Sequence, residues 1–230
     1  MKIGGFQKTS LLDYPDAISA IIWTVGCDFR CPFCYNKDIV LGKVEDIPEE
    51  EIFSFLEKRK GLLEGLVISG GEPLMQDDIA EFAEKVKKLG YLIKIDTNGM
   101  HPKKLKELIE KKLVDYISMD VKAPKKKYDK LSGIKTDIKK IEESIEIIKN
   151  SGLQYEFKTT FAPDLLTKED VISIAKWLDG SKRFYLQQFK NNAPLISSKL
   201  QNVEPHSKDK FIETLNDIKS HFEICEVRGI

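Results

Sequence analysis

Arginine and histidine are scarce in this chain of 230 residues, and long apolar runs are missing. Only Arg30, Arg59, Arg183 and Arg228 interrupt a basic complement otherwise made of lysine, and the three histidines, His101, His206 and His221, stand singly. No stretch approaches the roughly 18 apolar residues of a membrane-spanning helix. The opening Met1-Lys2-Ile3-Gly4-Gly5-Phe6 lacks the apolar segment of a secretory leader, so the expected location is the cytoplasm. Acidic and basic residues number 37 each. With no net charge there is no electrostatic argument for a nucleic-acid or anionic-membrane partner. No histidine sits in a motif, and no catalytic triad or paired-carboxylate signature occurs. We read the histidines as surface or capping residues without a ligand or base role.

The apolar share of 41% and charged share of 32% describe an ordinary globular composition. Four cysteines in a reducing compartment suit metal binding better than disulfides. Three of them, Cys27, Cys31 and Cys34, fall within eight residues, while Cys225 stands alone and reads as a small buried apolar residue. Thiolates select zinc, Cu(I) or iron–sulfur clusters. A closed zinc site wants four protein ligands and no Cys-His or His-His pair completes one here. A cubane cluster with three cysteines keeps one iron free of protein.

The cysteines follow the apolar run Ala17 to Val25, which predicts a strand, so they occupy a loop at a strand's carboxyl end. Strand and helix then alternate. Strands are predicted over Gly65 to Ser69, Tyr91 to Thr97, Leu113 to Val121, Gln154 to Phe161 and Arg183 to Phe189. Helices are predicted from Pro48 to Gly61 and over Asp77 to Leu89, Pro102 to Lys112, Thr136 to Asn150, Thr167 to Leu178 and His206 to Ser220, with Phe222 to Val227 as a last extended piece. Residues 1–16 read as an extended segment and turn, with Phe6 and Leu11-Leu12 covering the end of the sheet. Asn36 to Asp46 reads as a polar loop. Six strand–helix units imply a parallel sheet with helical crossovers, either open or an incomplete barrel. No linker or second domain is visible, so 1–230 is taken as one domain, with the barrel over about 17–220.

Each strand end carries polar residues. Ser69-Gly70-Gly71-Glu72-Pro73 allows a tight turn and close backbone approach. Asp96-Thr97-Asn98-Gly99 has the form of a capped turn. Asp120 and Lys122 point the same way on their strand and suit a buried ion pair. Lys158 lies two residues before Thr160.

Taken together these segments resemble the radical S-adenosylmethionine (radical SAM) superfamily. CxxxCxxC with Phe33 before the last cysteine resembles its cluster signature, and Gly70, Gly71 and Glu72 resemble its GGEP motif. The resemblance is closest to activating enzymes of glycyl-radical enzymes, which share DTNG (Asp96 to Gly99) and DxK (Asp120 to Lys122). The opening Gly4 to Pro15 is similar to activators of anaerobic ribonucleoside-triphosphate reductase.

That resemblance implies a partial (β/α)6 TIM-like barrel. It implies a 4Fe-4S cluster on Cys27, Cys31 and Cys34, with S-adenosylmethionine on the open iron near Phe33 and Tyr35. Gly70, Gly71 and Glu72 would meet the amino group, Lys122 the carboxylate, Asp96 and Asp120 the ribose or a cation, and Lys158 would add a second positive charge. The family's adenine-contacting histidine is missing after the sixth barrel strand, where Gln188 or Phe189 stands. The implied activity is reductive cleavage of S-adenosylmethionine and formation of a glycyl radical on a partner enzyme, with flavodoxin or ferredoxin as electron donor. Alternatives are a small-molecule enzyme like 7-carboxy-7-deazaguanine synthase, a plain electron-transfer iron–sulfur protein, or a structural zinc protein.

Overall fold

A computed structural model describes residues 1–230. Eight strands lie side by side in chain order: β1 (Ile3–Ser10), β2 (Ser19–Thr24), β3 (Gly65–Gly70), β4 (Leu92–Thr97), β5 (Tyr116–Asp120), β6 (Gln154–Phe161), β7 (Ser181–Gln188) and β8 (Phe222–Arg228). β1 runs antiparallel to β2, and every later pair is parallel. β1 and β8 do not pair, so the sheet stays open. The expected six strand–helix units are β2 to β7 with their crossovers, and the two flanking strands extend them.

Parallel neighbours require a crossover, and helices supply it. α1 (Lys37–Val40) and α2 (Glu49–Lys58) follow β2, α3 (Ile79–Lys88) follows β3, and α4 (Pro102–Glu110) follows β4. α5 (Tyr128–Ser132) and α6 (Ile138–Lys149) follow β5, α7 (Lys168–Trp177) follows β6, and α8 (Lys208–Ile218) follows β7. The sequence sets their ends. Thr167 and Asp170 form a reciprocal capping box on α7, and Asp137 and Ser207 cap α6 and α8. On α3 the apolar residues Ile79, Phe82, Ala83 and Val86 recur at helical spacing, and all four are buried. They join one core of 49 buried residues between sheet and helices.

The inner face of the sheet has a different composition. Along β6, Tyr155, Phe157 and Phe161 enter the main core, while the alternate Glu156, Lys158 and Thr160 take the other face. At the amino ends of the strands, Tyr14, Ile21, Val67 and Tyr116 fill the interior as a separate apolar cluster. Above them Glu156 is fully buried and accepts from Tyr116 Oη at 3.0 Å and Ser118 Oγ at 2.9 Å. Arg228 reaches across from β8 to grip both its oxygens, at 2.7 and 2.8 Å, with its guanidinium 3.3 Å above the Tyr185 ring. Burial would raise the Glu156 pKa, but Arg228 outweighs that and holds it below its ordinary range.

The extended segment expected within residues 1–16 is present as the strand Ile3–Ser10, which pairs with β2 and sets Gly5 opposite Trp23. Other expectations need correction. Leu11 is 71% exposed and Leu12, though 90% exposed, borders the cavity; Tyr14, 6% exposed, is the residue of this segment that closes the amino end of the interior. The loop after the cysteines holds the short helix α1, and α5 adds a short helix between β5 and α6, where the sequence reading assigns no element. The strand expected from Leu113 begins only at Tyr116. The last extended piece, expected over Phe222 to Val227, is present as β8, and Arg228 ties it to the interior.

Removing Arg228 leaves the buried Glu156 carboxylate without its cation. Arg228→Ala should cost about 3 kcal/mol in chemical denaturation, and adding Glu156→Gln should recover much of it, since a neutral amide needs no cation. Additive losses in the double variant would show that the pair is not coupled.

Candidate metal and cofactor centre

The loop after β2 is fixed from four sides. Gly71 N donates to Thr24 O at 2.9 Å and Glu72 N to Gly26 O at 2.8 Å. Gly26 N donates to Ile39 O at 2.9 Å. Arg30 N reaches Ser132 O of α5 at 2.7 Å, and Ile196 and Ser197 donate to Cys34 O and Pro32 O at 3.1 and 2.9 Å. Phe29 and Cys31 are buried beneath the loop. Such a loop has little freedom of its own, so its three sulfurs are held in place before anything binds.

The paired glycines serve this contact. A Cβ on Gly71 would lie 1.8 Å from Gly26 O, and one on Gly70, at φ +133°, 2.2 Å from Thr24 N. The backbone that approaches Gly71 closely is therefore that of the cysteine loop, and Gly70 lies against the end of β2. Gly70 and Gly71 also line the cavity, but Glu72 does not. Its carboxylate is wholly buried and accepts from Leu74 N at 3.0 Å, Thr97 Oγ1 at 2.8 Å and Asn98 N at 2.6 Å. Burial pushes its pKa up to about 7 against those donors.

Cys27, Cys31 and Cys34 share one cavity of about 360 Å³ with Phe33, Tyr35, Asp96, Asp120, Lys122 and Lys158. No group of three histidine, cysteine or carboxylate side chains gathers as ligands of a single ion. Burial pushes the Cys31 thiol up to about 12 and raises Cys27 and Cys34 as well. These sulfurs thus favour the protonated form until a positive centre compensates them.

Five charges form a ladder across the strand ends. Lys94 meets Asp96 at 3.0 Å, Lys158 stands 3.6 Å from both Asp96 and Asp120, and Lys122 meets Asp120 at 3.1 Å. The expected Asp120–Lys122 pair is present, and Lys122 also lies 5.9 Å from the Phe33 ring centroid. Burial works to lower Lys122 and Lys158, but Asp120 beside Lys122, and Asp120 with Asp96 beside Lys158, outweigh it and keep both charged. Burial would likewise raise Asp96, but Lys158 and Lys94 hold it well below its ordinary range. Three cations against two anions leave one positive charge over, suited to a carboxylate.

Of the two residues that stand in place of the adenine-contacting histidine, Gln188 lines the cavity, but its amide is spent on His206 O and Phe189 N, and Phe189 is buried away from it. Other participants were not anticipated. Thr160, Gln187, Lys190 and Arg228 form the wall along β6 to β8. His101 is not a bystander: its Nε2 meets Asp28 Oδ2 at 3.0 Å, inside the cysteine loop. Asn98 Nδ2 holds the other oxygen of Asp28 at 2.7 Å. Burial would raise Asp28, but His101 and Asn98 lower it below its ordinary range.

A profile of the radical SAM superfamily matches residues 21–178, which includes the cysteine loop, the glycine turn and the charge ladder. The chain belongs to the radical SAM superfamily. Its relatives include a protein of Methanocaldococcus jannaschii assigned as a glycyl-radical enzyme activating enzyme, 36% identical over 81% of this chain and 79% of that one. The pyruvate formate-lyase-activating enzyme of Listeria monocytogenes is 33% identical over 53% of each chain. An S-adenosylmethionine-dependent nucleotide dehydratase of Selenomonas ruminantium is 26% identical over 90% of this chain and 82% of that one. Among solved structures, Streptococcus suis SuiB bound to its precursor peptide SuiA superposes with a TM-score of 0.66 at 16% identity. That match covers 90% of this chain and 47% of SuiB, so the radical SAM chain spans about half of that protein, and the likeness concerns the fold alone.

The superfamily implies a 4Fe-4S cluster and S-adenosylmethionine. The side chains present fit both. Three thiols spread along one cavity wall suit a polynuclear centre better than one zinc ion, and the uncompensated cation of the ladder suits an amino acid's carboxylate. No helix is long and apolar enough to cross a membrane.

Two outcomes follow from this geometry. Gly71→Ala should displace the cysteine loop and reduce iron bound after anaerobic reconstitution well below that of wild type; full iron content would show that the contact is dispensable. Glu72 binds its proton more tightly folded than unfolded, so stability should fall as pH rises from about 4.5 toward 7 and then level off. Glu72→Gln, though less stable throughout, should lack that part of the slope in denaturation measured across this range.

Proposed function

We propose that this chain is an activase that generates a glycyl radical on a partner enzyme, with anaerobic ribonucleoside-triphosphate reductase as the favoured partner. The observation that carries this reading is the 36% identity, across four-fifths of the chain, to a protein assigned as a glycyl-radical enzyme activating enzyme. The three-thiol cavity at the open end of the barrel supports it. An external one-electron donor, a flavodoxin or ferredoxin, is required, and a cytoplasmic location goes with such partners. We take residues 1–230 to be one radical SAM domain.

In this reading Cys27, Cys31 and Cys34 hold a 4Fe-4S cluster with one iron left open to S-adenosylmethionine. When bound, this pair supplies one-electron cleavage of the sulfonium and with it a 5′-deoxyadenosyl radical, the species that takes hydrogen from a glycine Cα. The protein's own residues orient and screen. Lys122, with Lys158 behind it, meets the carboxylate of the methionine moiety. The turn at Gly70 and Gly71 faces its amino group, and buried Glu72 fixes that turn from behind. Asp96 and Asp120 keep the lysines charged and present oxygen atoms toward the ribose. Phe33 and Tyr35 shield the cluster side from water, which matters for a reactive radical.

Anaerobic reconstitution with iron, sulfide and reductant should give a protein that converts S-adenosylmethionine to methionine and 5′-deoxyadenosine. Adding the right glycyl-radical enzyme should produce a glycyl doublet in electron paramagnetic resonance. Cys31→Ala should abolish both. Turnover of a small molecule with no doublet on any glycyl-radical enzyme would replace the activase reading with that of a small-molecule enzyme.

A further inference from the structure

Asp28, Asn98 and His101 form a polar cluster against Cys27 for which the activase reading has no task. The Asn98 amide has only one satisfactory orientation. Its Oδ1 accepts from Met100 N at 2.9 Å, so its Nδ2 faces Asp28 Oδ1 at 2.7 Å and Cys27 Sγ at 3.8 Å. Phe29 N donates to the same sulfur at 3.3 Å. Asp28 Oδ1 stands 3.9 Å from Sγ, and its other oxygen, Oδ2, lies 3.0 Å from His101 Nε2. Asn98 N is itself anchored to Glu72 Oε2 at 2.6 Å. The group is therefore held between the cysteine loop, the glycine turn and the end of β4.

The geometry points to Asn98 and His101 as positioning residues that raise the reduction potential of the cluster bound at Cys27. Asn98 does so by donating to the ligating sulfur, and His101 by holding the Asp28 carboxylate. Hydrogen bonds to a cluster's sulfurs stabilise its more electron-rich state. A carboxylate this close opposes an added electron, and the opposition falls when its oxygens are engaged by donors. The electron comes from the external donor and enters the iron of the cluster; no bond to the protein forms or breaks. The inference rests on Cys27 as a ligand and not on the identity of any partner.

The test is an anaerobic redox titration of the reconstituted protein, without S-adenosylmethionine or partner, followed by the paramagnetic signal of the reduced cluster. At fixed ambient potential Asn98→Ala should lower the ratio of reduced to oxidised cluster about tenfold, equivalent to about 59 mV for a one-electron couple. His101→Leu should move the same way by less. His101→Gln, which keeps a donor for Asp28, should restore the wild-type value, and Asp28→Asn should move the opposite way. Unchanged potentials in Asn98→Ala and His101→Leu overturn the proposal, as does a downward shift in Asp28→Asn. If Asn98→Ala holds no iron, the variants at 28 and 101 decide by the same signs. A wild-type protein that takes up no cluster overturns the ligand assignment and this inference together. Failure to activate any glycyl-radical enzyme bears on the activase reading alone, because the titration contains no such enzyme.

Discussion

The structure depends on one close contact, the backbone of the glycine turn after β3 laid against the backbone of the cysteine loop after β2. Two hydrogen bonds close it, and Gly71 is the residue that permits it, since a Cβ would overlap Gly26 O. An eight-residue run with three thiols has no regular structure of its own to resist collapse of its sulfurs or drift into solvent. Nesting it against a strand end converts it into part of the sheet's rigid rim. Glu72 extends the constraint by one strand: its buried carboxylate binds the turn to Thr97 and Asn98 on β4. Three consecutive strand ends are thus locked to one another before a metal is present.

The interior of an α/β barrel is ordinarily packed with branched apolar side chains, and here only its lower part is. Tyr14, Ile21, Val67 and Tyr116 close the amino end, and above them the inward positions carry Lys94, Asp96, Asp120, Glu156, Lys158 and Arg228. Isolated burial of any of these charges would cost several kcal/mol. They are affordable only as a connected set in which each carboxylate has a cation, Glu156 with Arg228 and the two aspartates with the three lysines. Such a set cannot relax to suit a ligand, so its field is fixed in advance. This preorganisation is what a site handling a charged nucleotide sulfonium needs.

How much of this was legible in the sequence varied with the range of the interactions. The alternation of strands and helices, and the cysteine, Gly-Gly-Glu, Asp96 and Asp120–Lys122 segments at strand ends, could be read directly, because local periodicity and turn chemistry specify them. The β6 limits predicted from sequence are those observed. What failed was long-range. Nothing local to Ile3–Ser10 says that it pairs with β2, and nothing in Leu11-Leu12 says that Tyr14 will take the buried place. Arg228 looked like one of four scattered arginines until the sheet brought β8 within reach of Glu156. His101 looked like a helix-capping residue, because its partner Asp28 lies 73 positions earlier. Glu72 illustrates a subtler limit: the motif singles it out beside the glycine turn, but only the fold shows that its oxygens are already spent on the protein.

Most groups around the cavity are committed to protein partners, Lys158, Gln188 and Arg228 on β6 to β8 among them, but three uncommitted side chains stand together on that side. On the side of β2 to β5 and the cysteine loop, Asn98, Asp28, Asp96, Asp120 and Lys122 each have a protein partner, and the loop is tied by backbone bonds. Across β6 to β8, Thr160 and Gln187 sit side by side in register, followed by Lys190, and none of their side chains has a hydrogen bond or ion pair within the protein. Arg228 stiffens that wall, two of its N–H groups being held by Glu156. A committed group is costly to alter because substitution leaves a buried partner behind. The three uncommitted side chains can change at little cost to the fold. Physical constraint therefore separates the chemistry, which the committed groups fix, from the choice of what meets it, which the uncommitted ones leave open.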